Sequence, residues 1–294
     1  MEHRRDLDPG ELRAVLEFLE VDREVPSRSY LGRLQRAYKT HVPWETASRV
    51  VRSATVETLA DRPRRPTEFW QLAVEEGTGG TCFESDYALW ALLDALGFEA
   101  RLHVNDMPQH GGVQHHAALS VALEGTRYLV DVGMGMELVA PIPLLPSGRV
   151  NVGPPEFRNE LRRTASNRWR LELTGDVRRF ARPELGSGML YEFVDRPWDP
   201  AAYDAHVVRD YGPHGLFLDA VRVTRTNPDG TVVRFSPPST LLRFDGERWS
   251  EETLPGGDRA SQISDLVRMP EAPLRRAFEL IEEMAANAPL VAAT

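Results

Sequence analysis

Apolar residues recur at helical spacing through roughly the first third of the chain. In DPGELRAVLEFLEV, Leu12, Val15, Leu16 and Leu19 share one face, and Asp8 with Pro9 suits a helix start. SYLGRLQRAYKTHV repeats the spacing through Leu31, Leu34 and Tyr38 and stops at Pro43. PTEFWQLAVEE, opening at Pro66 and Thr67, is a third amphipathic segment, and CFESDYALWALLDALGFEA a fourth, closed by Gly97 at its C′ position. From Arg101 the period changes. RLHVNDM, AALSVALEG and TRYLVDVG read as strands, with a turn at Glu124-Gly125. PIPLLPSGRVNVGPPEF, rich in Pro and Gly, reads as a loop. WRLELTG and MLYEFVD are further strands, and LDAVRVTRTNPDGTVVRFS reads as a hairpin turning at Asn227-Pro228-Asp229-Gly230. The C-terminal MPEAPLRRAFELIEEMAANA is helical again. The order predicts an α+β chain in three units: helical over 1–100, β-rich over 101–205 and mixed over 206–294.

Composition agrees with more than one packed unit, because single cores stop growing near ~250–300 residues and this chain has 294. A hydrophobic fraction of 41% with 27% charged residues is that of a soluble globular protein. No apolar run reaches the ~18 residues that would predict a membrane span. The N-terminus has basic residues but no apolar stretch of the signal-peptide kind, so a cytoplasmic address follows by default. A single cysteine forms no internal disulfide and gives no argument for export. The net charge of −9 speaks against general nucleic-acid binding. Lys39 is the only lysine among 35 basic residues, a bias with no functional reading of its own.

That one cysteine follows Gly79-Gly80-Thr81. Thr81-Cys82-Phe83-Glu84 fits the capping-box pattern, with Thr81 as N-cap and Glu84 reaching back to its amide. Cys82 then sits in a helical first turn, where free amides and the helix dipole favour thiolate over thiol. The same amides suit the oxyanion of a tetrahedral intermediate. Gly79 and Gly80 leave room for another backbone or an acyl group to approach. Glu84 and Asp86 oppose ionisation of the thiol. Position alone favours a buried structural cysteine, since free cysteines are commonly buried and inert. A cationic partner decides between the two.

VQHHAALSVALEGTRYLVDVGMG offers His115, His116 and Asp131. Asp131 interrupts an apolar strand run, so it either ends the strand and accepts turn hydrogen bonds or pairs with a buried partner. Hairpin parity chooses between the histidines. With a two-residue turn at Glu124-Gly125, His116 and Asp131 share a face as diagonal neighbours, roughly 7–8 Å apart. A three-residue turn would select His115 instead. A metal reading of His103, His110, His115 and His116 with Asp106 matches no standard spacing and has no second cysteine. His3, His41, His206 and His214 read as surface or packing residues.

The order Cys82, His116, Asp131 resembles the arylamine N-acetyltransferase family. That family carries R-G-G-x-C-x-E-x-N where this chain has T-G-G-T-C-F-E-S-D. It carries a histidine fifteen residues before the aspartate of a DVGFG-like stretch, as His116 stands before Asp131 in D-V-G-M-G. HVPWET at 41–46 is similar to the family's H…PFEN, and YGPHGLFLDAVRVTRTNPDGTVVRF to its P…F…DG hairpin. The resemblance covers roughly residues 30 to 245. It implies a helical bundle carrying the nucleophile, a central β-barrel carrying His and Asp, and a C-terminal α/β lid. A Cys-His-Asp site like that of cysteine proteases would lie at their junction. Thr78 replaces the motif's arginine and Asp86 its asparagine, so a cation is lost and an anion added; Thr46 and Met134 are smaller departures.

The resemblance implies ping-pong acyl transfer. Cys82 takes an acyl group, acetyl in the typical case, from a CoA-type thioester. His116 deprotonates an amine that attacks the acyl-enzyme, and Asp131 holds the imidazole tautomer. Phe83, Gly133 and Met134 are the expected acyl-pocket lining. No permanently bound cofactor and no metal are expected. The partners are small-molecule amines and thioesters, with a carrier-bound acyl chain as a further substrate if the chain resembles the related macrolactam-forming amide synthases. A hydrolase built on the same three residues, or an inactive binding homologue, is the alternative.

Overall fold

The computed structural model describes residues 5–107, 112–135, 138, 140–146, 148–152, 158–174, 188–213 and 215–287. Helix α1 (Pro9–Phe18) begins where Asp8 accepts the amides of Gly10 and Glu11 while Glu11 reaches back to the Asp8 amide. That is a complete capping box, with Pro9 at the first helical position. Ser27 caps α2 (Arg28–His41), which buries Tyr30, Leu31, Leu34 and Tyr38. α3 (Ala47–Thr55), which the sequence pattern did not predict, follows a two-residue strand β1 (Trp44–Glu45). α4 (Pro66–Glu76) ends at Gly77 in the left-handed conformation, and α5 (Cys82–Ala95) is followed by Gly97 at φ +84°. These helices share one core with the strands that follow, through Leu16, Leu34, Phe69, Trp70, Leu89, Leu102 and Val121 among others.

The largest sheet has eight antiparallel strands in the order β5 (Ile142–Pro143), β4 (Thr126–Val130), β3 (Gly112–Leu123), β2 (Glu99–Met107), β9 (Met189–Val194), β8 (Arg168–Leu173), β7 (Asn159–Ala165), β6 (Arg149–Val152). Its end strands β5 and β6 approach each other, so the sheet is nearly closed into a barrel. Leu161, Trp169, Leu171, Leu190, Tyr191 and Phe193 belong to the core it encloses. The segment expected to be a loop thus contains β5 and β6. Their Pro and Gly content suits short end strands, where missing or unpaired amides cost little. The β3–β4 turn has the expected two residues, Glu124 at φ +50° and Gly125 at φ +76°, with Leu123 opposite Thr126 and Leu119 opposite Val130.

A second sheet runs β1, β10 (Val223–Thr226), β11 (Val232–Ser236), β12 (Thr240–Phe244), β13 (Trp249–Thr253). The expected hairpin is present between β10 and β11, with Thr226 opposite Val232 and Asn227 to Thr231 in the turn. α6 (Pro200–Asp210), capped by Asp199, packs Tyr203 and Val207 into the helical core. α7 (Arg259–Val267) and α8 (Glu271–Ala286) form a third core with α3 and the second sheet. Among the described residues, no helix is long and apolar enough to cross a membrane.

Candidate active site

Cys82 is the first residue of α5 and is buried. The capping box expected around it does not form: the Thr81 side chain makes no capping hydrogen bond. Glu84 points away from Thr81 and accepts from Arg64 Nη2 at 2.6 Å, from the Arg64 amide at 2.8 Å and from the Tyr211 hydroxyl at 2.8 Å. A buried guanidinium and two further donors outcompete a single backbone amide for one carboxylate. Arg64 Nη2 also donates to the Gly79 carbonyl at 2.7 Å. Burial opposes charge on both partners, but their mutual attraction wins: Glu84 is held below the usual carboxylate range and Arg64 raised above the usual guanidinium range. The cation expected to be missing at Thr78 is therefore supplied by Arg64, from the segment before α4. The Thr78 hydroxyl itself is buried without a hydrogen-bond partner.

Gly79 has the close approach its type permits. A Cβ there would lie 1.7 Å from the Pro43 carbonyl oxygen. The approaching group is backbone, since Trp44 bridges Gly80 and the Glu45 amide donates to the Gly80 carbonyl at 3.3 Å. β1 thus fixes the loop in front of Cys82 to the second sheet.

His116 comes from β3 and Asp131 from the residue after β4. His116 Nε2 and Asp131 Oδ2 are 2.8 Å apart, with both side chains buried. Asp131 also ends its strand: Oδ1 accepts the Met134 amide at 3.0 Å. Both expectations for Asp131 are thus met by one carboxylate using two oxygens. The Tyr191 hydroxyl donates to Oδ2 at 2.8 Å, and its ring lies 4.4 Å from that of His116 between centroids. Gln35 donates to the Asp131 carbonyl at 3.2 Å, and Lys39 to the Met134 carbonyl.

Cys82 and His116 line the same cavity. With Nε2 taken by Asp131, Nδ1 is the nitrogen left for sulfur. Burial disfavours an imidazolium here, but Asp131 and Cys82 outweigh it and raise His116 well above the usual imidazole range. Burial likewise pushes Asp131 up, and His116 with Tyr191 brings it below the usual range. The arrangement holds a proton on the ring beside sulfur, as a nucleophilic thiol requires.

A narrow cavity of about 20 Å³ opens at the sulfur, between Trp44, Met107, His115, Met134, Phe217 and Arg234. The Trp44 and Phe217 rings meet edge to face at 5.4 Å. Gly133 and Met134 lie in this lining with Cys82 and His116. Gly133 is also forced to be glycine, as a Cβ there would come within 2.4 Å of the Cys82 Cβ. Phe83, the second residue of α5, is outside the lining. It packs on Tyr203 and His206, and its carbonyl accepts the Tyr203 hydroxyl at 2.9 Å.

His115 shares the cavity, and its Nδ1 makes no hydrogen bond among the described residues. His103 is a core residue held between the Val194 carbonyl and the Ser120 hydroxyl, and burial lowers its pKa to about 4. Asp106 instead accepts from Arg168 and the Gln114 amide. His41 and His206 make packing contacts with Phe18 and Trp198, while His3, His110 and His214 lie outside the described residues.

Sequence reasoning missed Arg64, Gln35, Lys39, Tyr191 and the rings of Trp44 and Phe217. One signal was available for two of them. Gln35 and Lys39 fall on the buried face of α2, beside Leu31, Leu34 and Tyr38, where a polar side chain needs a partner.

A family model described as N-acetyltransferase matches residues 29–236. The chain belongs to the arylamine N-acetyltransferase family. Within 136 residues it is 33% identical to an arylamine N-acetyltransferase of Mycolicibacterium smegmatis. That match spans 42% of this chain and 44% of the relative, less than half of its length. Solved arylamine N-acetyltransferase structures share the fold across nearly the whole chain. That of Mycobacterium abscessus has a TM-score of 0.73 at 21% identity, covering 92% of this chain and 94% of its own. That of M. smegmatis has a TM-score of 0.73 at 22% identity, covering 94% and 99%. The helical start, the nearly closed barrel and the mixed C-terminal part are thus the fold of arylamine N-acetyltransferases.

Proposed function

We propose that this protein transfers an acetyl group from acetyl-CoA to an arylamine through a thioester on Cys82, with His116 and Asp131 completing the catalytic machinery. The observation that carries the reading is the 2.8 Å contact of His116 Nε2 with Asp131 Oδ2, made by a ring that lines one cavity with Cys82. In the first half-reaction the Cys82 sulfur adds to the thioester carbonyl carbon. The first-turn amides of α5, which have no helical acceptors, face the developing oxyanion. The carbon–sulfur bond to CoA breaks, and His116 gives its proton to the departing thiolate. Thioester exchange between two sulfurs is nearly isoenergetic.

In the second half-reaction the amine nitrogen adds to the acyl carbon. His116 removes the nitrogen's proton, and the bond to Cys82 breaks to release the amide. Asp131 holds the ring so that Nδ1 faces sulfur throughout. The cavity beside Cys82 is narrow and walled by the Trp44 and Phe217 rings, which suits a small acyl group. The walls of Trp44, Met134 and Phe217 limit water at the acyl-enzyme, favouring transfer over hydrolysis.

Intact-mass analysis tests the reading. Incubation with acetyl-CoA is expected to add one acetyl group per chain, lost on adding an arylamine with formation of the amide. Cys82→Ala is expected to gain nothing. An unmodified parent protein, or an acyl-enzyme whose lifetime no amine shortens, would overturn the proposal.

A further inference from the structure

Asp86 is a second carboxyl group at the site that the reaction does not use. It lies on α5 one turn beyond Cys82, and its side chain is fully buried. Oδ1 accepts the Val132 amide at 3.1 Å, which ties α5 to the segment carrying Asp131. Oδ2 makes no hydrogen bond among the described residues. It presses against Gly133, where a Cβ would meet it at 2.5 Å and Cys82 at nearly the same distance.

Every charged or titratable group facing Asp86 has a partner elsewhere or is itself buried and uncharged. From β3, His116 is bonded to Asp131. From α2, Lys39 donates to the Met134 carbonyl, and the Tyr38 ring lies nearby. From β9, Tyr191 donates to Asp131, and from α6, Tyr203 donates to Phe83. On α5 itself, Glu84 is paired with Arg64. Asp86 forms no ion pair among the described residues. Asp131 is close enough that a second carboxylate would repel it.

We infer that Asp86 is a positioning residue that acts as an un-ionised carboxylic acid, holding the Asp131 segment against the helix of Cys82 in the manner of a neutral amide. Two carboxyl groups in one dry site cannot both ionise cheaply. Asp131 has a direct bond to His116 and one to a tyrosine to hold its charge, whereas Asp86 has one backbone amide and only the through-space attraction of His116 and Lys39, which burial and Asp131 outweigh. Burial, with Asp131 adding to it, raises Asp86 well above the usual carboxylate range. The departure of Asp86 from the asparagine of the family's motif therefore adds no anion at neutral pH. Once ionised, Asp86 would compete with Asp131 for His116 and repel a thiolate on Cys82.

The test needs no acyl donor, so its failure is distinct from failure of the acyl-transfer reading. Asp86→Asn copies the shape and charge of the neutral acid. The pH profile of Cys82 alkylation by iodoacetamide is expected to coincide in D86N and parent through the neutral range. A profile moved to lower pH in D86N would mean that an anion had been removed, and would overturn the proposal.

Stability gives a second measure. The folded parent keeps a proton that its unfolded chain loses above about pH 3.9. The ratio of the folding constants, D86N over parent, is therefore expected to rise about tenfold per pH unit from there until Asp86 ionises in the folded state. A pH-independent ratio overturns the proposal, as does a D86N chain that fails to fold. On the parent alone, infrared spectroscopy at neutral pH is expected to show an un-ionised carboxyl band that disappears on unfolding; its absence also refutes the assignment.

Discussion

Replacing Arg64 with Met leaves Glu84 buried with its charge unmatched. The Arg64 and Glu84 side chains are 1% and 0% exposed and 2.6 Å apart, so solvent screens neither. Removing one partner of such a pair costs about 3–5 kcal/mol, and the Gly79 carbonyl loses a donor worth about 1 kcal/mol more. A loss of this size is a large share of the ~5–15 kcal/mol that holds a domain folded. The assay is urea unfolding followed by tryptophan fluorescence, for which buried Trp70 on α4 is a nearby reporter.

In R64M/E84Q the neutral amide still accepts from Tyr211 and the residue-64 amide, so most of the loss is expected to return. The coupling energy in the double-mutant cycle should therefore exceed about 2–3 kcal/mol, since E84Q alone also leaves Arg64 unpaired. The cost of R64M should also depend on pH. Glu84 is depressed in the folded parent, so its contribution is present above the unfolded carboxylate value of about 4.3 and is lost as pH falls through its lower folded value. Parent and R64M are therefore expected to converge in acid and diverge toward neutral pH. A cost below about 1 kcal/mol, as for an exposed pair, with no pH dependence, would refute the claim that Arg64 neutralises Glu84 behind Cys82.

Two further substitutions probe the site. Tyr191→Phe removes one hydrogen bond to the Asp131 carboxylate, of a kind worth about 1.5–3 kcal/mol. kcat/KM for the proposed acetyl transfer should fall at least about tenfold with little change in the far-ultraviolet spectrum; unchanged kinetics would show that the hydroxyl does not steer Asp131. Gly133→Ala forces a methyl group against Cys82 and Asp86, an overpacking that costs about 1–3 kcal/mol. It should slow Cys82 alkylation and lower the unfolding midpoint, and a variant matching the parent in both would refute the close approach.

Local pattern determined the long helices and the core of the site. The spacing in α1, α2, α4 and α5 was enough to place them, because one helical face must be apolar whatever it packs against. The two-residue turn at Glu124-Gly125 set the β3–β4 register, and the side-chain alternation of strands then paired His116, and not His115, with Asp131. Those facts are legible because the residues concerned lie within one hairpin. α3, β7, α6, β12, β13 and α7 were missed, and β5 and β6 were taken for loop; α6 buries Tyr203 and Val207 alone and β13 is largely exposed, so an apolar pattern that sparse does not register. The sequence by itself placed a cysteine at a helix start and a histidine in register with an aspartate. Tertiary structure alone decided what neutralises their surroundings: Arg64 on Glu84, Tyr191 on Asp131, Gln35 and Lys39 on the segment after β4. Those partners meet across strands and helices far apart in the chain, and a long side chain's reach across a core leaves no mark on the spacing of its own segment. Thr81 and Glu84 show the same limit from the other side, for a local motif yields when a buried ion from elsewhere offers the carboxylate a stronger bond.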